Sequence, residues 1–119
     1  MFTLLFLASA ALSEPAPVET TFIDLVEHAE ELHGKDIVIV GYVGKCGETG
    51  CALRMKYVGD GNRFLTMSKR SPAYDDILSN APGKVRITAR FDATCVINPC
   101  IGSVTDTLLV SRVDRLEEI

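Results

Sequence analysis

The side chains best equipped for chemistry are the four cysteines. They come as two pairs of equal spacing, Cys46-Gly-Glu-Thr-Gly-Cys51 and Cys95-Val-Ile-Asn-Pro-Cys100. Three chemistries suit paired thiols. Oxidation gives two disulfides, for which four cysteines allow three connectivities. Four thiolates around one ion give a structural zinc site; this spacing is within the range such sites use, but both segments would have to converge on one point. A redox dithiol fits least, because those motifs leave two residues between the cysteines, beside a helix N-terminus.

The next set is basic and aromatic. Arg54, Lys56, Phe64, Thr66 and Ser68 fall on one face of two neighbouring strands, with Lys45, Arg63, Lys69 and Arg70 at the edges. Cations beside an aromatic ring on a β surface can hold an anionic chain such as single-stranded nucleic acid or an acidic oligosaccharide. The ordinary explanation of such a face is solvent exposure, with Phe64 packed under a helix. Other residues assemble no reaction centre. His28 and His33 are five apart and do not share a helix face; both read as solvated. Glu27, Glu30 and Glu31 form a charged helix face. Ser68 and Ser71 have no histidine near them in sequence, and Gly41, Gly44, Gly47 and Gly50 open no helix, so there is no phosphate loop. We find no case for an enzyme, and no residue set that calls for a cofactor.

These side chains need a scaffold, and hydrophobic periodicity supplies one. Thr20 to Gly34 reads as an amphipathic helix. Phe22, Leu25, Val26, Ala29 and Leu32 lie on its apolar face, Thr21 caps it and Gly34 ends it. Asp36 to Cys46 is a strand. Its run Ile37-Val38-Ile39-Val40 is β-branched throughout, which suits burial on both faces, and Gly41 marks a bend. Residues 51–58 alternate, with Cys51, Leu53, Met55 and Tyr57 inward. Gly59-Asp60-Gly61-Asn62 is a turn, and residues 63–68 form a third strand with Leu65 and Met67 inward. Ser71-Pro72 predicts a helix start, with a serine cap and proline in the first turn; Tyr74, Ile77 and Leu78 are its apolar face, and Asn80 to Gly83 stops it. Residues 84–93 are a fourth strand, with Val85, Ile87, Ala89 and Phe91 inward. A loop carries Cys95 and Cys100, and residues 104–116 are the last strand.

The order helix, three strands, helix, two strands resembles an OB-fold. That family is a five-stranded, partly open Greek-key barrel with a helix between strands three and four. The bend expected at Gly41 and the segment Leu32 to Val43 strengthen the likeness, which spans Lys35 to about Leu116. The resemblance implies a mainly β barrel. It places the two cysteine pairs in the first–second and fourth–fifth strand loops, which flank the binding face. Local bridges, Cys46–Cys51 and Cys95–Cys100, are then the natural pairing.

Length and composition bound the rest. The 119 residues make one domain. A net charge of −4 argues against a nucleic-acid binder, whose surface is usually basic throughout. Residues 1–13, MFTLLFLASAALS, are uncharged, mostly apolar and too short to span a bilayer. Small residues at Ala8, Ala10, Ala11 and Ser13 suit signal cleavage, placed here before Glu14, although no Lys or Arg stands near Met1. Residues 14–19 read as a flexible linker and 20–119 as the domain. No other apolar run is long enough to span, so no membrane crossing is expected after cleavage. Export to a periplasmic or extracellular space favours disulfides over zinc. The expectation is a secreted, non-catalytic OB-like binding module for a protein, glycan or small anion. A structural accessory of the cell envelope, and a zinc or redox protein, are the other readings.

Overall fold

The β-branched run that starts at Ile37 lies in the longest strand, and most of the fold pairs with it. The computed structural model describes residues 16–48, 50–55, 64–97 and 107–117. In chain order these form β1 (Val18–Glu19), α1 (Phe22–Glu27), α2 (Ala29–Leu32), β2 (Asp36–Gly47), β3 (Gly50–Arg54), β4 (Phe64–Ser68), α3 (Tyr74–Ser79), β5 (Gly83–Phe91), α4 (Thr94–Ile97) and β6 (Leu108–Arg115). The protein is mainly β. Its six strands make one mixed sheet in the order β1-β2-β3-β4-β6-β5, and a further β2–β5 pairing closes the hydrogen bonding into a ring.

Closure depends on β2 serving two partners. Asp36 to Val43 pair antiparallel with β5, and Tyr42 to Gly47 pair antiparallel with β3. Gly41 sits just before the change of partner. A Cβ there would lie 2.8 Å from the Arg54 carbonyl oxygen and 3.0 Å from Leu53 carbons, so only glycine lets the two backbones approach. The bend expected at Gly41 therefore coincides with a close backbone contact.

Two irregularities set which side chains face inward. Val43 pairs with Leu53 but Cys46 pairs with Cys51, so β2 carries one extra residue between them. Inward positions before this bulge are odd-numbered, Ile37, Ile39 and Val43. The extra residue reverses the phase and brings Cys46 opposite Cys51. In β6 the same happens at Ser111: Arg112 pairs with Thr88 and Val110 with Ala89. Leu108 and Val110 are buried, and the odd-numbered Val113 also packs on the core. That phase change explains why the last strand does not alternate in sequence.

The core fills the ring with Ile37, Ile39, Leu53, Met67, Ile87, Phe91 and Leu108, all essentially inaccessible. Leu25 of α1 and Ile77 of α3 are fully buried against it. The inward set expected for the fourth strand, Val85, Ile87, Ala89 and Phe91, is wholly buried.

Several expectations need correction. The single helix over 20–34 is two short helices that meet at His28. Thr21 caps the first, its Oγ accepting from the Asp24 N–H at 3.2 Å, but Val26 is exposed rather than packed. The second helix of the reading begins at Tyr74, and Ser71 does not cap it. Ser71 Oγ is taken by the Val110 N–H at 2.9 Å, so the hydroxyl ties this turn to β6 instead. Within the residues read as a flexible linker, Val18 and Glu19 pair parallel to Ile37 and Val38, and the Thr20 N–H donates to the Val38 carbonyl at 2.9 Å. An edge of β2 that β3 does not cover offers those backbone partners. The sheet thus has six strands among the described residues, where five were expected. Ser68, expected outward, is fully buried, and its Oγ accepts from the Arg70 N–H. Of the predicted strand over 104–116, Leu108–Arg115 is strand, and residues 104–106 lie outside the described residues.

Gly41→Ala should cost about 1–3 kcal/mol by overpacking the β2–β3 contact. Urea melts of the oxidised protein measure it; an unchanged midpoint would show that the two strands can separate there without loss.

Candidate functional site

Cross-strand register decides which of the sequence-nominated residues meet. Arg54 and Phe64 are direct partners across β3 and β4, and Ala52 is opposite Thr66 one step along. Residues two apart in a strand share a face, so Arg54, Phe64 and Thr66 lie together on the outer surface of the ring. The Arg54 guanidinium carbon is 5.4 Å from the centroid of the Phe64 ring. That is a cation–π contact, favoured because the ring face is electron-rich. Phe64 is 46% exposed, so it is not packed away under a helix. Arg54 also lies along β2: a Cβ on Gly44 would meet its Nε at 3.3 Å. Lys56, the fourth residue nominated for this face, lies outside the described residues.

The cysteines form a bridge beside it. Cys46 and Cys51 are bonded to each other, with Cα atoms 4.0 Å apart, as partners across the β2–β3 ladder. Cys51 is buried and Cys46 half-buried. The turn between them needs glycine at Gly50, whose φ is 132° and where a Cβ would collide with the Met67 carbonyl. Cys95 is not a free thiol; Cys100 lies outside the described residues.

The segment holding Cys95 contains a helix that the sequence reading took for loop. Asp92 starts α4 by accepting the Thr94 N–H on Oδ1 at 2.9 Å. Bonds from the Thr94 side chain and backbone, with a smaller contribution from His33, hold the Asp92 carboxyl below its ordinary value despite slight burial. His33 is more than a solvated side chain: its Nδ1 accepts the Ala93 N–H at 3.0 Å. It thereby ties the end of α2 to the start of α4.

One cluster escaped the sequence reading, which found no histidine–carboxylate constellation. Asp24, Glu27 and His28 place one ligand atom each within 4.8 Å of one another. Asp24 of α1 and His28, the residue that caps its C-terminus, are four apart, the spacing that puts side chains on one helix face. All three are exposed, and His28 also lies 3.6 Å from Glu31. Such an exposed acidic turn is common without any metal and nothing further marks it as a site.

Apolar side chains gather beside Phe64, which lines a groove of about 470 Å³ together with Phe22, Ile23 and Val26 of α1, Met55, Leu65 and Val96. No helix among the described residues is long and apolar enough to cross a membrane. No protein-family model, characterised protein or solved structure matches the chain.

Two measurements check this description. A double-mutant cycle with Arg54→Ala and Phe64→Ala should return a coupling of about 0.5–1 kcal/mol; additive effects would mean that the contact contributes nothing. Asp92, with a lowered folded pKa, contributes stability above the unfolded value near 3.9 that is lost as pH falls through the folded pKa. Stability curves of Asp92→Asn should therefore converge on wild type at strongly acid pH and lie below it at neutral pH.

Proposed function

We propose that the chain is an exported, non-catalytic binding module built on an OB-type barrel. The observation that carries the reading is the Arg54–Phe64 stack, a cation on a half-exposed ring where β3 ends and β4 begins. A solvent-exposed aromatic beneath a guanidinium offers both an apolar face and a charge to a ligand. Its class is a protein, a glycan or a small anion.

Three features support the barrel. The pairing runs β2-β3-β4-β6-β5 and returns to β2, β4 and β6 are the parallel joint of that ring, and α3 lies between β4 and β5. A glycine where the first long strand changes partner also agrees with it. Export is supported by the Cys46–Cys51 disulfide and by the apolar first thirteen residues. We assign the second bridge to Cys95–Cys100, because Cys46 and Cys51 are taken by each other and Cys95 is not free. Thiols joined in a disulfide offer no thiolates, so the first bridge speaks against a four-cysteine zinc site.

Mass spectrometry of the protein recovered from the exporting cell should give no free thiol and an N-terminus at Glu14. Four free thiols with bound zinc would overturn the reading. Glycan and peptide arrays then test the face: Arg54→Gln and Phe64→Ala should each weaken the strongest hit by about tenfold. Unchanged binding by both folded variants would show that this face is not the site.

A further inference from the structure

The protein is acidic overall, with a net charge of −4, yet one part of its surface collects cations. Two grooves meet at Tyr42 and Pro82. One, of about 540 Å³, has Lys45, Arg54 and Leu78 along its walls. The other, of about 470 Å³, has Lys84, Arg115 and Glu117. Tyr42 of β2 is opposite Arg54 of β3 on one side and opposite Lys84 of β5 on the other. Cationic residues thus flank the tyrosine from strands that lie two ladder spacings apart, about 9.5 Å.

Arg54 is engaged by Phe64, but three of the other cations are unmatched. Lys45, Lys84 and Arg115 take part in no ion pair among the described residues. Elsewhere on the same sheet Arg90 lies 3.5 Å from Asp36 and Arg112 3.0 Å from Asp114. Glu117 is the one acid among the described lining of the two grooves. Like charges gathered in a cleft repel one another and focus a positive potential, which an anion relieves.

The floor narrows the class of anion. Tyr42 and Pro82 line both grooves and so lie between the cations of one and those of the other. A ligand that fits must present apolar ring faces at its middle and carry negative groups on either side. A linear acidic oligosaccharide does so: the C–H faces of its pyranose rings suit an aromatic and a proline ring, and its carboxylates or sulfates recur on the length scale of two strands. Single-stranded nucleic acid fits less well. It needs well-exposed aromatic faces for successive bases, whereas Tyr42 is half-buried and is the sole aromatic described in either groove.

We infer that the Tyr42–Pro82 groove binds a linear acidic oligosaccharide, with Lys84 and Arg115 holding one anionic group and Lys45 the next. The inference rests on the reading of the chain as a binding module and names its ligand class. The residues it adds, Tyr42, Lys45, Lys84 and Arg115, lie outside the Arg54–Phe64 stack.

Calorimetric titration of the oxidised protein with a galacturonate oligomer, a neutral cello-oligomer and an oligothymidylate tests it. The galacturonate oligomer should bind, and binding should weaken as salt is raised. Lys84→Gln and Arg115→Gln should each weaken it by about tenfold. Arg90→Gln, a sheet cation outside both grooves, should leave it nearly unchanged. Circular dichroism verifies that the variants fold. Equal binding of the neutral oligomer, no binding of the galacturonate, or galacturonate binding that survives both cation variants overturns the inference. Oligothymidylate binding that is lost in Phe64→Ala, without galacturonate binding, overturns the glycan and leaves the module with its site at the stack.

Discussion

The fold depends on one backbone approach. β2 must hydrogen-bond to β5 along its first half and to β3 along its second, and a ring cannot close unless the strand turns between them. The turn brings the backbone at Gly41 against the Arg54 carbonyl, where no side chain fits. Arg54 is therefore held from two directions. Its carbonyl abuts the bend and its guanidinium lies on Phe64. The residue that meets Gly41 also anchors the exposed face, so the surface chemistry inherits its position from the closure of the ring.

Most of this was legible because simple periods dominate. Val85, Ile87, Ala89 and Phe91 alternate without interruption, and all four are buried as the pattern requires. Phe22, Leu25, Ala29 and Leu32 keep helical spacing even though the helix is broken at His28. The failures share a physical cause: they turn on one chain segment meeting another distant in sequence. Ser71 carries every local sign of a helix cap, yet its hydroxyl is captured by the amide of Val110, thirty-nine residues away. Val18 and Glu19 have no intrinsic reason to be a strand, and become one because β2 offers an open edge. Register also hid part of the site. Tyr42, Arg54 and Lys84 come together only through two ladders, whereas Arg54 and Phe64 could be placed from alternation on adjacent strands.

The electrostatic pattern follows from the same frame. Acidic residues crowd the leading helices, at Asp24, Glu27, Glu30 and Glu31, and the start of α3, at Asp75 and Asp76. Cations are placed on the sheet. Some are matched there, as Arg90 is by Asp36, whereas Lys45 and Lys84 near Tyr42 take part in no ion pair among the described residues. A modest negative total thus conceals a division of sign between helices and sheet, and bulk charge says little about what the sheet can meet.

The bulge in β2 bears on how this sequence can change. It amounts to a single inserted residue, absorbed between Val43 and Cys46 without disturbing the pairing on either side. Regular pairing from Val43–Leu53 would set the second residue after Val43 against Cys51, so loss of Lys45 by deletion would restore simple alternation and leave Cys46 opposite its partner. The hairpin can therefore lose this residue without unpairing its bridge, and β6 can lose Ser111 in the same way, since Val110 and Arg112 already pair with neighbouring residues of β5. These two strands tolerate a change of length at one place each, because the bulge and not the flanking register takes it up.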